Sequence, residues 1–389
     1  MRSSWKVLTI AHNAVAASNR QRAAALAARP ELDITLLTPS WWFEEGQRVA
    51  APAAGQRGTA APSLLWHVGR TLATGNGTRY VYLSHLVSLV RRWQPDVIDL
   101  HEEPFSLIAL QTLILRELFA PGAALVVYSA VNTHRRWRPP YRWIERLVLR
   151  RADAAWAPSA EVPPILRAKG LPSATPTAVI PLGVDVDRFA RARPLDLPGL
   201  GRPRIGFLGR LEPVKGLDVL LDALRLLQFP ASLVIAGDGS QRNHLQRRAT
   251  SIGGVELRPS LSYDEVPGFL KSLDVLVLPS VTILPLHREQ FGRVLVEAMA
   301  AGVPVVGSSS VAIPEVIGDA GLVVPEGDPV GLASAIGRVL TEPGLAERLV
   351  ERGRQRVCSL YAWPIVAART VELFHSAMVH RLKSREVRS

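Results

Sequence analysis

Short apolar runs alternate with amphipathic helical stretches along the chain, and this alternation constrains the fold more than any other feature. In the first half, Lys6–Ala11, Asp33–Thr38, Asp96–His101, Ala124–Tyr128 and Ala178–Pro181 read as strands. Arg20–Ala28, Tyr80–Trp93, Phe105–Phe119, Tyr141–Arg151 and Ala160–Ala168 read as helices between them. The pattern resumes from Arg204–Leu208 to Gly321–Val324, and a helical tail follows, Leu345–Leu360 and Trp363–His380, broken near Pro364. Pro194, Pro198, Gly199, Gly201 and Pro203 crowd the stretch from Gly183 to Pro203, which reads as an interdomain linker. Ala50–Ala61, rich in Ala, Gly and Pro, reads as a loose loop. The pattern predicts an α/β chain of two doubly wound, parallel-sheet, Rossmann-like domains facing across a cleft. Ligands are then expected at the carboxyl ends of the strands.

With 389 residues, each half is long enough to bury a core. A single cysteine, Cys358, excludes a disulfide framework and a cysteine-based metal site. The start, MRSSWKVLTIAHN, reads as a first strand rather than a signal peptide, and no apolar run approaches the roughly 18 residues of a membrane span. A cytoplasmic location is expected. The net charge is +12, and residues 1–185 carry 21 Lys/Arg against 13 Asp/Glu, a surplus of +8. Such a surplus suits a phosphorylated substrate, anionic lipid or nucleic acid. No helix-turn-helix, RNA-binding or zinc-finger signature is present, so nucleic acid is not an expected partner.

The richest stretch is Glu289–Gly307, EQFGRVLVEAMAAGVPVVG. Glu289-Gln290-Phe291-Gly292 reads as a loop entering a helix over Arg293–Ala301, which Gly302 and Pro304 end before a buried strand at Val303–Val306. One acid thus precedes a helix N-terminus and the other, Glu297, sits on its second turn. Helix amides attract a phosphate, whereas carboxylates prefer neutral hydroxyls. A phosphorylated sugar supplies both. A capped surface helix with two solvated glutamates is the alternative. A second stretch, GFLGRLEPVKG, puts Arg210 and Lys215 between a strand end and a helix, where two cations suit a diphosphate. In IAGDG, Gly237 and Gly239 follow a strand, but Arg242 stands where a dinucleotide fingerprint needs its third glycine.

Together these strings resemble glycosyltransferase family 4, whose signature pairs two glutamates, with seven residues between them, with E-A-M and G-x-P-V-V, and adds G-R-L-x-x-x-K-G. The resemblance is strongest over residues 204–325. It implies a GT-B fold, with residues 1–185 as the acceptor-binding domain and 186–361 as the donor-binding domain. The tail, 362–389, would cross back onto the first domain. It implies retaining transfer of a hexose from a nucleoside-diphosphate sugar to a cell-envelope lipid, polysaccharide or small-molecule acceptor, with no cofactor and no metal. By the same resemblance Glu297 binds the ribose, Glu289 the donor sugar, and Arg210 and Lys215 the diphosphate. Gly237, Gly239, Phe291 and Gly292 join the donor-binding set. GSSSVAIPEVIG, Gly307–Gly318, departs from the family: Ser309, Ser310 and Val311 stand where relatives carry a Gly-Gly pair.

On the acceptor side, His12 and Asn13 are polar groups past the first strand, where many relatives carry a Gly-Gly loop that this chain lacks. The HEEP string resembles the family's E-P, so His12, Asn13 and Glu103 are the acceptor candidates. Ser18 or Asn19 could instead simply cap a helix. Some relatives carry a catalytic His after the Val126–Tyr128 strand; here Asn132 and His134 are the candidates. Arg135–Arg151 holds seven arginines and one acid, with Trp137, Tyr141 and Trp143, and Arg142, Arg146 and Arg150 fall on one helical stripe. Such a segment can lie on an anionic membrane surface, making the protein peripheral on the inner face, or its arginines can merely face water. Trp41-Trp42-Phe43 caps a cleft or packs. Two other classes remain: an epimerase or phosphorylase on the same fold, and a non-catalytic membrane partner. None of the five lysines has the context a pyridoxal phosphate would need.

Overall fold

The computed structural model describes residues 4–44, 47–52, 64–283 and 288–386. Most of the loop expected at Ala50–Ala61 lies outside the described residues. The chain forms two compact units, Met1–Pro181 with Trp363–Ser389, and Leu182–Ala362.

The first unit is built on seven strands in the spatial order Thr177–Val179, Ala154–Ala157, Ala124–Tyr128, Val97–Leu100, Trp5–Ile10, Leu32–Pro39, Leu65–Gly69. Every neighbouring pair is parallel. Helices cover both faces, so strands such as Val97–Leu100 are buried throughout and read as unbroken apolar runs. The chain steps outward from Trp5–Ile10 and then returns to its other side with Val97–Leu100, so strand order reverses between these two.

The tail helix, Trp363–Glu386, is part of this unit. The Trp363 indole donates to Gln21 Oε1 at 2.7 Å, and Val366, Ala367, Phe374 and Ala377 are buried in the core. Near its end, Arg381 donates to the Pro121 carbonyl and lies 3.9 Å from Asp153. Asp153 also receives Arg116 at 2.6 Å and the Leu125 amide at 2.8 Å. Arg116 is fully buried. Burial pushes the Asp153 carboxyl up and the Arg116 guanidinium down, against their mutual attraction. The pair is therefore costly to break rather than strongly stabilising in itself.

The second unit has six parallel strands in the order Val255–Arg258, Ser232–Ala236, Arg204–Leu208, Val275–Leu278, Val305–Ser308, Gly321–Val324. Here the order reverses between Arg204–Leu208 and Val275–Leu278. A reversal of this kind is where doubly wound sheets hold ligands.

The structure corrects several expectations. The stretch from Gly183 to Pro203 is not a free linker. Asp185 caps a helix at Val186–Arg191, and Phe189 and Leu197 are buried in the second unit's core. Tyr80–Trp93 is not one helix. Gln111 takes both main-chain groups of Tyr82, at 2.9 and 2.7 Å, which holds Val81–Tyr82 extended. Helical turns begin only at Leu86, after His85 at φ +66°. The strand expected at Val303–Val306 starts at Val305, because the Val303 amide closes the preceding helix on Ala298 O. Ser18 and Asn19 do not cap: the first helix starts at Ala17, inside which Asn19 donates to Asn13 O. The hairpin Trp41–Glu44 with Gln47–Ala50 and the edge strand Leu65–Gly69 were not foreseen.

Replacing Asp153 by Asn should lower the stability of the first unit by about 3 kcal/mol, since it leaves the buried Arg116 guanidinium with only the partly exposed Glu117 carboxylate. Urea unfolding with near-ultraviolet detection reads the change. An unchanged midpoint would mean that Glu117 and the carbonyls of Ala123 and Arg151, which Arg116 also reaches, suffice.

Candidate functional site

In the second unit, the loops after three adjacent strands are knitted together at the point of reversal. The central loop follows Arg204–Leu208 and runs to Gly216. On one side it meets the loop after Ser232–Ala236: the Leu211 amide donates to Asp238 O at 2.8 Å, and the Gln241 amide to Leu211 O at 2.9 Å. On the other it meets the loop after Val275–Leu278, where the Val281 amide donates to Val214 O at 2.8 Å. These approaches leave no room for side chains. A Cβ on Gly237 would lie 1.9 Å from Gly209 O, and one on Gly216 would lie 2.0 Å from Pro279 O. Gly237 and Gly239 are thus explained by loop-to-loop packing.

Lys215 ends a short turn, Pro213–Lys215, and Gly216 at φ +64° leads into the helix Leu217–Leu226. From there the Lys215 ammonium reaches Glu289 Oε2 at 2.6 Å. The Ser280 hydroxyl donates to the same oxygen at 2.9 Å, and the Ser308 hydroxyl in turn donates to Ser280 O. Glu289 is only 8% exposed. Burial would push its carboxyl up, but the Lys215 ammonium, the Ser280 hydroxyl and the Phe291 amide together hold it below the usual carboxylate range. It is a buried anion with a built counter-ion. Arg210 is exposed on the same loop and pairs with no carboxylate among the described residues.

Gly292, at φ +81°, starts the helix Arg293–Ala300, and no side chain caps it. Glu297 is half-buried on the second turn. It contributes to the field that, with burial as the larger cause, pushes the Tyr263 hydroxyl up to about 12. The Phe291 side chain is buried in the core, 4% exposed, and meets Tyr361 at 6.1 Å. Past the Val305–Ser308 strand, Glu326 accepts the amide of Thr282 at 2.6 Å and its hydroxyl at 2.8 Å, and the Glu326 amide donates to Ser309 Oγ. Ser308 and Ser309 thus fix the loop through side-chain bonds. Val311 there keeps φ +39°, a backbone that favours glycine.

In the first unit, the equivalent reversal holds His12 and Glu102. The His12 amide donates to Glu102 Oε1 at 2.7 Å and its Nδ1 lies 2.6 Å from Oε2. Trp42 packs on the imidazole at 4.3 Å. Asn13 lies in the same turn, His12–Val15. Glu103 turns instead toward Ser129 Oγ at 2.7 Å and the Ala130 amide at 2.9 Å. Burial pushes its carboxyl up to about 7, against those two donors. His134 is exposed, whereas Asn132 nearby is 2% exposed. Trp137 packs on Phe105 at 4.0 Å under Arg135. Ser280, Ser308 and Glu102 were missed in the sequence. Position just past a strand end, as at Leu278-Pro279-Ser280, was the available signal. Among the described residues no three His, Cys, Asp or Glu side chains gather to hold a metal, and no helix is long and apolar enough to cross a membrane.

Two family models match the chain. One, described as Glycosyltransferase Family 4, covers residues 16–188; the other, described as Glycosyl transferases group 1, covers residues 202–342. A phosphatidyl-myo-inositol mannosyltransferase of Mycobacterium leprae is 31% identical over 356 residues, 85% of this chain and 88% of that one. A glycogen synthase of Mycobacterium tuberculosis is 30% identical over 308 residues, 74% and 70% of the two chains. Among solved structures, a sucrose-phosphate synthase from Thermosynechococcus elongatus superposes with a TM-score of 0.72 at 20% identity, covering 96% of this chain and 99% of that one. The Anabaena HepE protein in complex with UDP-glucose superposes with a TM-score of 0.67 at 18% identity, covering 96% and 100%. These likenesses show the GT-B fold.

Gly237→Ala should destabilise the second unit by at least roughly 2 kcal/mol, combining backbone strain with a clash against main chain. Gly253→Ala is the control, since Gly253 also has positive φ but nothing lies within 4 Å of where its Cβ would be. Equal melting temperatures for the two variants would contradict the packing account.

Proposed function

Because the chain belongs to glycosyltransferase family 4, we propose that it moves a hexose from a nucleoside-diphosphate sugar to a lipid, polysaccharide or small-molecule acceptor, with retention and without a metal. The observation that carries this reading is the Lys215–Glu289 pair, set with Arg210 and the Arg293–Ala300 helix at the reversal of the second sheet. The donor belongs in this unit and the acceptor in the first. The activities for which these relatives are named, mannosyl transfer and glycogen synthesis, support a hexose.

In this mechanism Arg210 and Lys215 neutralise the departing diphosphate, in place of a metal ion. Glu297 accepts ribose hydroxyls, and Glu289 accepts hydroxyls of the sugar and holds it for attack. The acceptor oxygen approaches the face the diphosphate leaves, and a phosphate oxygen takes its proton. No covalent nucleophile is required. In the first unit, His12, Asn13 and Glu103 would contact the acceptor, and Asn132 rather than exposed His134 is the better-placed side chain of its loop. A lipid acceptor accords with a cytoplasmic enzyme working on the inner membrane face.

A panel of UDP-, GDP- and ADP-hexoses, offered with hexose and lipid acceptors, tests the reading. Nucleoside diphosphate should appear only with acceptor, at full rate in excess chelator, and the product anomer should match the donor's. Loss of turnover with chelator, restored by magnesium or manganese, would show that Arg210 and Lys215 are not enough.

The resting ion pair makes a sharper prediction. Lys215 must share its donors between Glu289 and an arriving diphosphate. Glu289→Gln should therefore bind free nucleoside diphosphate about tenfold more tightly while transfer falls about a hundredfold, since a charge-assisted contact to the sugar is gone. Calorimetry and transfer assays read both. Weaker nucleotide binding by Glu289→Gln would contradict the competition.

A further inference from the structure

Three helical segments form one layer over the first unit's sheet: Leu86–Trp93, Leu107–Phe119 and Tyr141–Arg151. Leu86, Leu89, Ile108, Leu113, Ile144 and Val148 all point into the same core, so the opposite sides of the segments share one outer face. The segments touch: Gln94 donates to Phe119 O at 2.8 Å, and Arg116 donates to Arg151 O at 3.3 Å. The three segments contain seven arginines and two acids. Both acids are occupied, Glu117 with Arg116 and Arg151, and Glu145 with Lys169 at 2.9 Å.

What faces outward is unusual for a solvated helix layer. Trp143 is 66% exposed and Leu147 43% exposed, set among exposed Arg142, Arg146 and Arg150. On the middle helix Ile114 and Leu118 are 48% and 67% exposed; beyond it Val87 stands beside Arg91 and Arg92. A shallow groove of about 280 Å³, lined by Val81, Leu107, Leu110, Gln111, Ile114 and Leu115, opens on the middle helix. Water gains nothing from covering such side chains, and apolar groups interleaved with unpaired cations match an interface that is anionic outside and hydrocarbon beneath.

We propose that this three-helix face docks on an anionic phospholipid bilayer, with Trp143, Leu147, Ile114 and Leu118 entering the headgroup boundary and the groove receiving an acyl chain. The inference deepens the reading of a peripheral enzyme acting on a lipid, and it extends beyond the arginine stripe to the middle helix. Each arginine near the surface multiplies binding several-fold, and screening by salt weakens the effect.

Sedimentation of the full chain with phosphatidylserine–phosphatidylcholine vesicles and with pure phosphatidylcholine vesicles, without donor, tests it. The protein should pellet with the first and not the second, and less at high salt. Neutralising Arg142, Arg146 and Arg150 together with Gln should weaken pelleting about a hundredfold. Ile114→Ser with Leu118→Ser should weaken it about tenfold while leaving the melting temperature unchanged, because both side chains are exposed. Equal pelleting with neutral vesicles, no pelleting with anionic ones, or indifference to both variants would overturn the proposal; the last two results would leave the face to a protein partner. Donor turnover with a soluble acceptor, measured on the same variants, is a separate readout, so failure of the glycosyltransferase reading and failure of docking are told apart.

Discussion

A buried carboxylate tolerates its position only with a counter-ion and donors on hand. Glu289 has all of these: the Lys215 ammonium, the Ser280 hydroxyl and the Phe291 amide. Lys215 and Ser280 arrive from different strand-end loops, so the anion depends on the whole arrangement, and the arrangement depends on the sheet. Because every strand of the second unit is parallel, three loops leave the same edge side by side. Glycines 216 and 237 then let their backbones approach closely enough to fix Lys215. Loosening any of these contacts would leave a charge without its partner.

The first unit solves a similar problem with different groups. Its reversal point holds an imidazole against a buried carboxylate, with an indole packed at a tilt against the ring. Its outer helix layer is apolar inward and cationic outward, whereas the buried charges, Arg116, Asp153 and Arg381, hold the tail helix in place. Charge thus has two roles there: structural where it is buried and paired, and available where it is exposed.

The charged groups at the second unit's reversal were legible because they are packed into contiguous strings. Glu289 and Glu297 flank one helix start, and Arg210 and Lys215 share one loop, so local spacing placed all four. Partners that come from other loops were not legible. Ser280 and Ser308 carry no signal of their own among many serines. HEEP offered two adjacent acids with opposite environments, and only the fold shows that Glu102 meets His12 while Glu103 meets Ser129. Tyr80–Trp93 has helical composition, yet a glutamine about thirty residues away holds its first part extended.

By itself the sequence determined the α/β alternation, the parallel sheets and the strings that hold Arg210, Lys215, Glu289 and Glu297, since hydrophobic period and short-range spacing are properties of the chain alone. Tertiary structure decided which charges meet. It put Lys215 on Glu289 across 74 residues, drew the supposed linker into a core, and gathered three separate helices into one basic and apolar face. Those outcomes depend on long-range packing, which the order of residues implies only once the strands have found their neighbours.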